Sequence, residues 1–235
     1  SVELSSSVIN AGKIFADQNH NVLANPKVNF VIQDGRNHLL TTHKLYDVIT
    51  SEPPPPRTAF TVNLYTREYY ELQKSKLKAG GIVTQWIPLH SQGPKEVAMH
   101  FKTFQSVFPF TMGWLSVANE MIIIGSIQPI KIDFNKLNER VQEPEIKKAL
   151  ANIEIPNIYS FLSNIWLLNE QVEKLGEGFP LITDNHPAIE FYLNLGKVIG
   201  VPGQERYVFN RARFDDVTNR ISNLSDSDRK KLKQI

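Results

Sequence analysis

The sequence predicts an α/β protein with a mostly parallel, doubly wound sheet, followed by a helical extension. Two observations predict it. Short β-rich runs alternate with amphipathic helical stretches as far as about residue 126, the pattern that buries a parallel sheet between helices. From Gln128 onward the period changes to a helical one. The expected division is therefore 1–127 for the sheet domain and 128–235 for the mainly helical extension.

The predicted strands are Val28–Ile32, Tyr46–Ser51 and Gly81–Trp86, then an antiparallel pair, Thr111–Ser116 and Met121–Gly125, turning near Ala118-Asn119-Glu120. Helical stretches lie between them. Ser5–Gln18 places Val8, Ile9, Ala11, Ile14 and Phe15 near helical spacing. Thr66 is the expected N-cap of a helix running to Leu77, with Glu68 in its first turn. Tyr69 stands where a capping box would need Glu or Gln. The lysines Lys76 and Lys78, then Gly80-Gly81, mark its end. Pro94–Val107 is the next predicted helix. In the extension, Phe134–Arg140, Glu143–Asn152 and Ile158–Leu175 read as helices, the last with Phe161, Leu162, Ile165, Trp166 and Leu168 on its apolar face. Pro180–Tyr192 is less regular, and Arg211–Ile235 is a charged surface helix or tail.

Composition narrows the chemistry. The 235 residues are 41% hydrophobic and 21% charged, ordinary for a globular chain. A net charge of +2 supplies no field suited to nucleic acid or an anionic membrane. The absence of cysteine excludes disulfides, thiolate metal sites and cysteine nucleophiles. No apolar run reaches the roughly 18 residues of a membrane span, and the first residues lack the pattern of a signal peptide. The six histidines, His20, His38, His43, His90, His100 and His186, show no short metal-ligand spacing, so no metal is expected. His20 reads as the end of a helix. Asp184 with His186 suggests either a metal pair or a turn, and a turn is expected. Trp86, Trp114 and Trp166 read as core or pocket wall. There is no Walker loop and no G-x-S-x-G elbow.

In an open α/β sheet, ligands bind outside the carboxyl ends of the strands. Four such ends carry polar residues: Glu3 after Val2, Asp34 after Ile32, Glu52 after Ser51 and Gln85 after Thr84. A carboxylate at Glu3 suits the paired hydroxyls of a ribose. Asp34 suits the exocyclic amine of adenine, and Gly35 lets the backbone approach closely. Glu52, nearer the middle of the crevice, suits an amine that must be oriented or deprotonated. Each carboxylate serves equally well as the N-cap of a following helix, Asp34-Gly35 is a common turn, and Pro53–Pro56 makes a stiff connector.

The segment Tyr46-Asp47-Val48-Ile49-Thr50-Ser51-Glu52-Pro53 resembles the YDVIxxD segment of spermidine synthases. It is closer still to the YDVITSEPSNPW form of spermidine-synthase-like proteins, many of them fused to membrane segments. Residues 63–72, NLYTREYYEL, resemble NLFTREFYEL of that family. Residues 76–82 resemble RLxPGGI, residues 30–36 resemble xxVxDGR, and residues 183–191 resemble NTDDRPxxEF. The resemblance implies a Rossmann-like, methyltransferase-type sheet and a polyamine aminopropyltransferase-like transferase. Its co-substrate would be decarboxylated S-adenosylmethionine or S-adenosylmethionine, with no tightly bound cofactor, and its partner a small-molecule amine. By position, Glu52 takes the place of the catalytic carboxylate, Glu3, Asp34 and Gly35 hold the nucleoside, and Gln85 is the substrate-side glutamine. Two departures matter. Glu52 replaces Asp, and Pro55 stands where the family has a second carboxylate on the amine. The first strand and its glycine-rich loop have no counterpart here. The expectation is thus a fragment, or a sheet completed by other chain, with a hairpin domain or membrane region before Ser1. The family setting implies a cytoplasmic protein, soluble or tethered, that forms homodimers. An S-adenosylmethionine-dependent methyltransferase and a non-catalytic binding or assembly module are the competing readings.

Overall fold

A computed structural model describes residues 1–90, 92–117, 120–190 and 214–234. They fall into two compact units, Ser1–Leu45 and Tyr46–Ile235.

The first unit is a small parallel β-α-β arrangement. Strand β1 (Val2–Glu3) pairs in parallel with β2 (Val31–Ile32), Glu3 opposite Ile32. The chain between them carries helix α1 (Ser6–Ala11) and a short 3-10 turn, Val22–Ala24. Helix α2 (Gly35–Thr41) follows β2 directly. The helix expected over Ser5–Gln18 is only six residues long and buries none of them. Beyond Ala11 the chain runs in turns, and His20 and Asn21 at positive φ reverse it.

The second unit is built on a five-stranded sheet in the order β3-β4-β6-β5-β8. Its strands are β3 (Tyr46–Ser51), β4 (Leu77–Pro88), β5 (Phe110–Val117), β6 (Glu120–Ser126) and β8 (Ile165–Leu167). Only β3 and β4 are parallel; the other three pairings are antiparallel. The expected antiparallel partnership of β5 and β6 is present, while its turn at Ala118-Asn119 lies outside the described residues. The sheet thus holds less parallel pairing than the sequence alternation predicts. The β1–β2 pair forms a sheet of its own, and among the described residues β3 pairs on one side only.

Helix α3 (Arg67–Ser75) makes the crossover from β3 to β4. As expected, Thr66 caps it, its hydroxyl accepting from the Tyr69 amide at 3.4 Å. Helix α4 (Pro94–Gln105) opens with proline, whose missing N–H costs nothing in a first turn. Its N-cap is a glycine with no side chain to offer, and Glu96 reaches back instead to the Gly93 amide at 3.0 Å. Along β4 the odd residues Gly81, Val83, Gln85 and Ile87 are buried and Ile82, Thr84 and Trp86 between them less so, the period-2 pattern of a half-covered sheet. Tyr70 meets Phe104 edge-on at 5.0 Å, and Phe104 lies 4.8 Å from Phe108, all three fully buried.

The extension packs on the β5 side of the sheet. Short strand β7 (Ile132–Asp133), α5 (Phe134–Gln142), α6 (Pro144–Asn152) and α7 (Ile158–Ser163) precede β8, and α8 (Asn169–Gly176) follows it. After the undescribed stretch come α9 (Phe214–Thr218), β9 (Ile221–Ser222), which pairs with β7, and α10 (Asp226–Lys233). Met112, Phe134, Val141, Ile158, Leu162, Ile165, Leu168, Ile221 and Leu232 form one buried cluster. The single helix expected over Ile158–Leu175 is broken by β8. Ile165 and Leu167 bury better as a strand on β5, and Gln171 caps the restarted helix through the Leu168 amide at 3.0 Å. Of the charged tail, residues 211–213 and 235 lie outside the described set, as does the less regular segment from Phe191. Among the described residues no helix is long and apolar enough to cross a membrane.

Close packing gives one test. A Cβ on Gly125 of β6 would clash with the Phe104 ring and sit 2.7 Å from Phe108 Cβ. Gly125→Ala is expected to cost about 1–3 kcal/mol by overpacking, read as a lowered urea midpoint. An unchanged midpoint would contradict this account of the aromatic core.

Candidate functional site

The residues singled out in the sequence divide between the two units. In the first, Glu3 is the last residue of β1, and Asp34 comes two residues after the end of its parallel neighbour β2. The Gln33 amide donates to the Glu3 carbonyl at 3.0 Å, which locks the two strand ends in register. Both side chains are half-buried. Glu3 Oε1 accepts from the Ser5 amide at 2.9 Å, and Asp34 Oδ1 accepts from the Asn37 amide at 2.8 Å as the N-cap of α2. The capping role weighed for these carboxylates is real for Asp34. It uses one oxygen of the pair, and a carboxylate carries two. A Cβ added to Gly35 would meet nothing within 4 Å, so the backbone beside Asp34 borders open space.

In the second unit, parallel pairing sets the geometry. Thr50 lies opposite Thr84 and Ser51 opposite Gln85, with the two threonine hydroxyls 2.9 Å apart. Glu52 is the next residue and is exposed. Gln85 is fully buried on the helix-covered face. Its amide nitrogen donates to the Trp86 carbonyl at 3.4 Å, while its Oε1 is buried without a partner among the described residues. An orphaned acceptor of this kind costs about 1–3 kcal/mol, so the position holds a polar atom that the interior does not use. Glu52 follows the end of β3 and is open to solvent, while Gln85, expected at a strand end, lies inside β4, which continues to Pro88, and is sealed in the interior.

Two phenols complete the surroundings of Glu52, and sequence reading gave neither a role. Tyr69 Oη lies 3.4 Å from Ser51 Oγ. Tyr65 is wholly buried, and its hydroxyl lies 3.3 Å from the carbonyls of both Pro53 and Pro54. Burial pushes the Tyr65 hydroxyl far above the usual phenol range, and the neighbouring Glu52 carboxylate and Tyr69 push it the same way. Tyr65 is thus a neutral donor at every physiological pH. The Tyr70 hydroxyl, fully buried and raised by the same cause, has no partner among the described residues, nor do the amide atoms of Gln73.

The loop that leaves Glu52 is also held at its far end. Phe60 adopts a positive φ of 66°, strained for a bulky residue, and its amide donates to Glu190 Oε1 at 2.9 Å. The same C-terminal segment clamps the start of α3. The Thr66 hydroxyl donates to Asp184 Oδ1 at 2.7 Å, the Asp184 amide to Glu68 Oε2 at 3.0 Å and the Arg67 amide to the Ile182 carbonyl at 2.9 Å. Thr183 and His186 bridge across a turn, as expected for that stretch; its last quoted residue, Phe191, lies outside the described set. Among the described residues no group of three metal-ligating side chains comes together. The sequence carried no signal for these contacts: the run Pro53–Pro56 reads only as a stiff connector.

The family model described as the spermine/spermidine synthase domain matches residues 1–122. Among curated proteins, the polyamine aminopropyltransferase 2 of Hyperthermus butylicus is 24% identical over 56% of this chain and 46% of its own length. The polyamine aminopropyltransferase of Methanocaldococcus jannaschii is 25% identical over 62% of this chain and 53% of its own. The chain thus spans about half the length of these relatives. The crystal structure of spermidine synthase from Thermotoga maritima superposes with a TM-score of 0.51 at 20% identity, covering 74% of this chain and 58% of that one, a likeness of fold.

In the second unit, burial holds His100 neutral by lowering its pKa from 6.5 to about 3. The unfolded chain takes up a proton near 6.5 and the folded one does not. The stability this contributes is whole above 6.5 and is lost as pH falls from there toward 3, at about 1.4 kcal/mol per pH unit. Urea unfolding between pH 7 and pH 4.5 should therefore show a shallower decline for His100→Gln than for the parent chain. Parallel declines would contradict the assignment.

Proposed function

Because the chain belongs to the spermine/spermidine synthase domain family, we propose that it contributes the catalytic face of an aminopropyl transfer from decarboxylated S-adenosylmethionine to a small amine. The observation that carries this reading is Glu52, a solvent-facing carboxylate placed by the last register pair of a parallel strand, next to buried phenols.

The chemistry needs little more than position and charge. An amine substrate arrives as an ammonium ion, which Glu52 attracts and from which it accepts a proton. The freed nitrogen lone pair attacks the methylene carbon bound to the sulfonium. The C–N bond forms as the C–S bond breaks, and the bonding pair returns to sulfur, releasing methylthioadenosine. The proton on Glu52 passes to solvent. On the donor side, Glu3 offers its second oxygen to ribose hydroxyls and Asp34 its second oxygen to the adenine amine. The open space over Gly35 leaves room for the base. Gln85 Oε1, an acceptor left without a partner, is the substrate-side group in this reading. Its depth in the interior means that it meets an amine only if the surface above it moves, or else acts by supporting Glu52.

Pro55, in place of a second carboxylate, favours a second reading. An acceptor amine finds no carboxylate at that position to hold its distant nitrogen, which favours a short or singly charged amine, or a domain that binds a nucleoside without turning it over.

Calorimetric titration with methylthioadenosine should show saturable binding. Glu3→Ala and Asp34→Ala should each weaken it about ten- to a hundredfold, the worth of hydrogen bonds to a charged group. Glu52→Gln should leave that binding within about twofold and lower turnover by at least about 100-fold. Absence of binding, or an unchanged rate in Glu52→Gln, would overturn the proposal.

A further inference from the structure

Four consecutive prolines follow Glu52, and none can donate a backbone hydrogen bond. A segment of this kind cannot join a ladder, and its carbonyls must find donors elsewhere. Pro53 and Pro56 are nonetheless buried. Something other than backbone pairing therefore fixes the chain where it leaves β3.

The contacts identify what does so. Tyr65 is 0% exposed, and its single hydroxyl proton is shared between the carbonyls of Pro53 and Pro54, each 3.3 Å away. Its ring stands edge-on to His100, with centroids 4.9 Å apart and planes at 69°. His100, also fully buried, meets Gln92 Oε1 through Nε2 at 3.0 Å. The Gln92 amide donates to the Pro88 carbonyl at 2.6 Å, the last residue of β4. With Oε1 of Gln92 facing the ring, the imidazole proton sits on Nε2, and Nδ1 is left without a partner among the described residues. A buried line of contacts thus runs from the end of β4 through Gln92, His100 and Tyr65 to the two residues after Glu52.

We propose that Tyr65 is a positioning residue: its phenol, braced by His100 and Gln92, tethers the Pro53–Pro54 carbonyls and so sets the direction in which Glu52 presents its carboxylate. This rests on the reading of Glu52 as the base for aminopropyl transfer. The tether replaces the rigidity that an N–H-bearing segment would obtain from the sheet. It also ties the direction of Glu52 to the end of β4, so that both strand ends move as one body.

The test is Tyr65→Phe in the full chain, which keeps the ring against His100 and removes only the donor. Turnover with decarboxylated S-adenosylmethionine and an amine should fall roughly 10- to 100-fold, the cost of misplacing a catalytic group by about 1 Å. The donor KM and methylthioadenosine affinity should stay close to those of the parent chain, and the melting temperature should fall by only about 2–6 °C, the cost of the lost hydrogen bond. Trypsin cleavage after Arg57, exposed in the tethered loop, should quicken about five- to tenfold, the worth of one hydrogen bond, with cleavage elsewhere unchanged. A purely structural role would instead speed cleavage at every site while leaving turnover per folded molecule unchanged, and that result overturns the proposal. So does an unchanged turnover. If the parent chain transfers no aminopropyl group, the functional reading falls, and cleavage after Arg57 then judges the tether alone: an unchanged rate refutes it.

Discussion

Parallel hydrogen bonding between β3 and β4 is the constraint from which the second unit is assembled. A parallel pair requires a crossover, which α3 supplies, and it runs both strands the same way, β4 extending three residues past the end of β3. Ser51 opposite Gln85 is the last pair in that register, so the next residue, Glu52, leaves the sheet beside a glutamine and above the crossover helix. Shifting β3 by one residue would turn Ser51 to the face opposite Gln85 and separate Glu52 from the phenols of α3 and its preceding turn. Antiparallel strands then extend the sheet on the far side, where they carry the helical extension rather than the site.

The interior of the second unit holds several unpaired polar groups. Gln73, Gln85, His100 and Tyr70 are all fully buried, and each keeps at least one polar atom without a partner among the described residues. Every such atom lowers stability, and two of them, on Gln85 and His100, belong to the surroundings of the candidate site. The clamps from the C-terminal segment offset part of that cost. Glu190 on the Phe60 amide and Asp184 on the Thr66 hydroxyl join residues far apart in sequence to the same loop and helix start.

Much of this was readable from the chain alone, for physical reasons that differ by residue. The β3 strand was legible because Tyr46–Ser51 is β-rich and bounded by a proline run, and Thr66 because a hydroxyl before an acidic first turn is a local capping signal. Asp34 carried two readings, of which the structure realises the cap and leaves the second oxygen over. The break in the Ile158–Leu175 helix was hidden, since Ile165 and Leu167 fit helical and strand patterns alike and only the vacant edge of β5 decides between them. Tyr65, Tyr69, His100 and Gln92 were visible as residues but not as a network. Their meeting depends on where α3 and α4 cross β4, which no short-range spacing encodes. The sheet order shows the same limit: alternation of strand and helix indicates parallel pairing, while the antiparallel partnerships of β4, β5, β6 and β8 follow from long-range fit.

The central claim is that an amine loses its proton at Glu52 and takes an aminopropyl group from a sulfonium donor. Mass spectrometry of the products addresses it most directly, with decarboxylated S-adenosylmethionine and S-adenosylmethionine offered in parallel to the same amine. The account predicts an aminopropylated amine and methylthioadenosine in equal amounts from the decarboxylated donor, and no product from the other. A methylated amine formed only from S-adenosylmethionine would contradict it and assign the fold to methyl transfer.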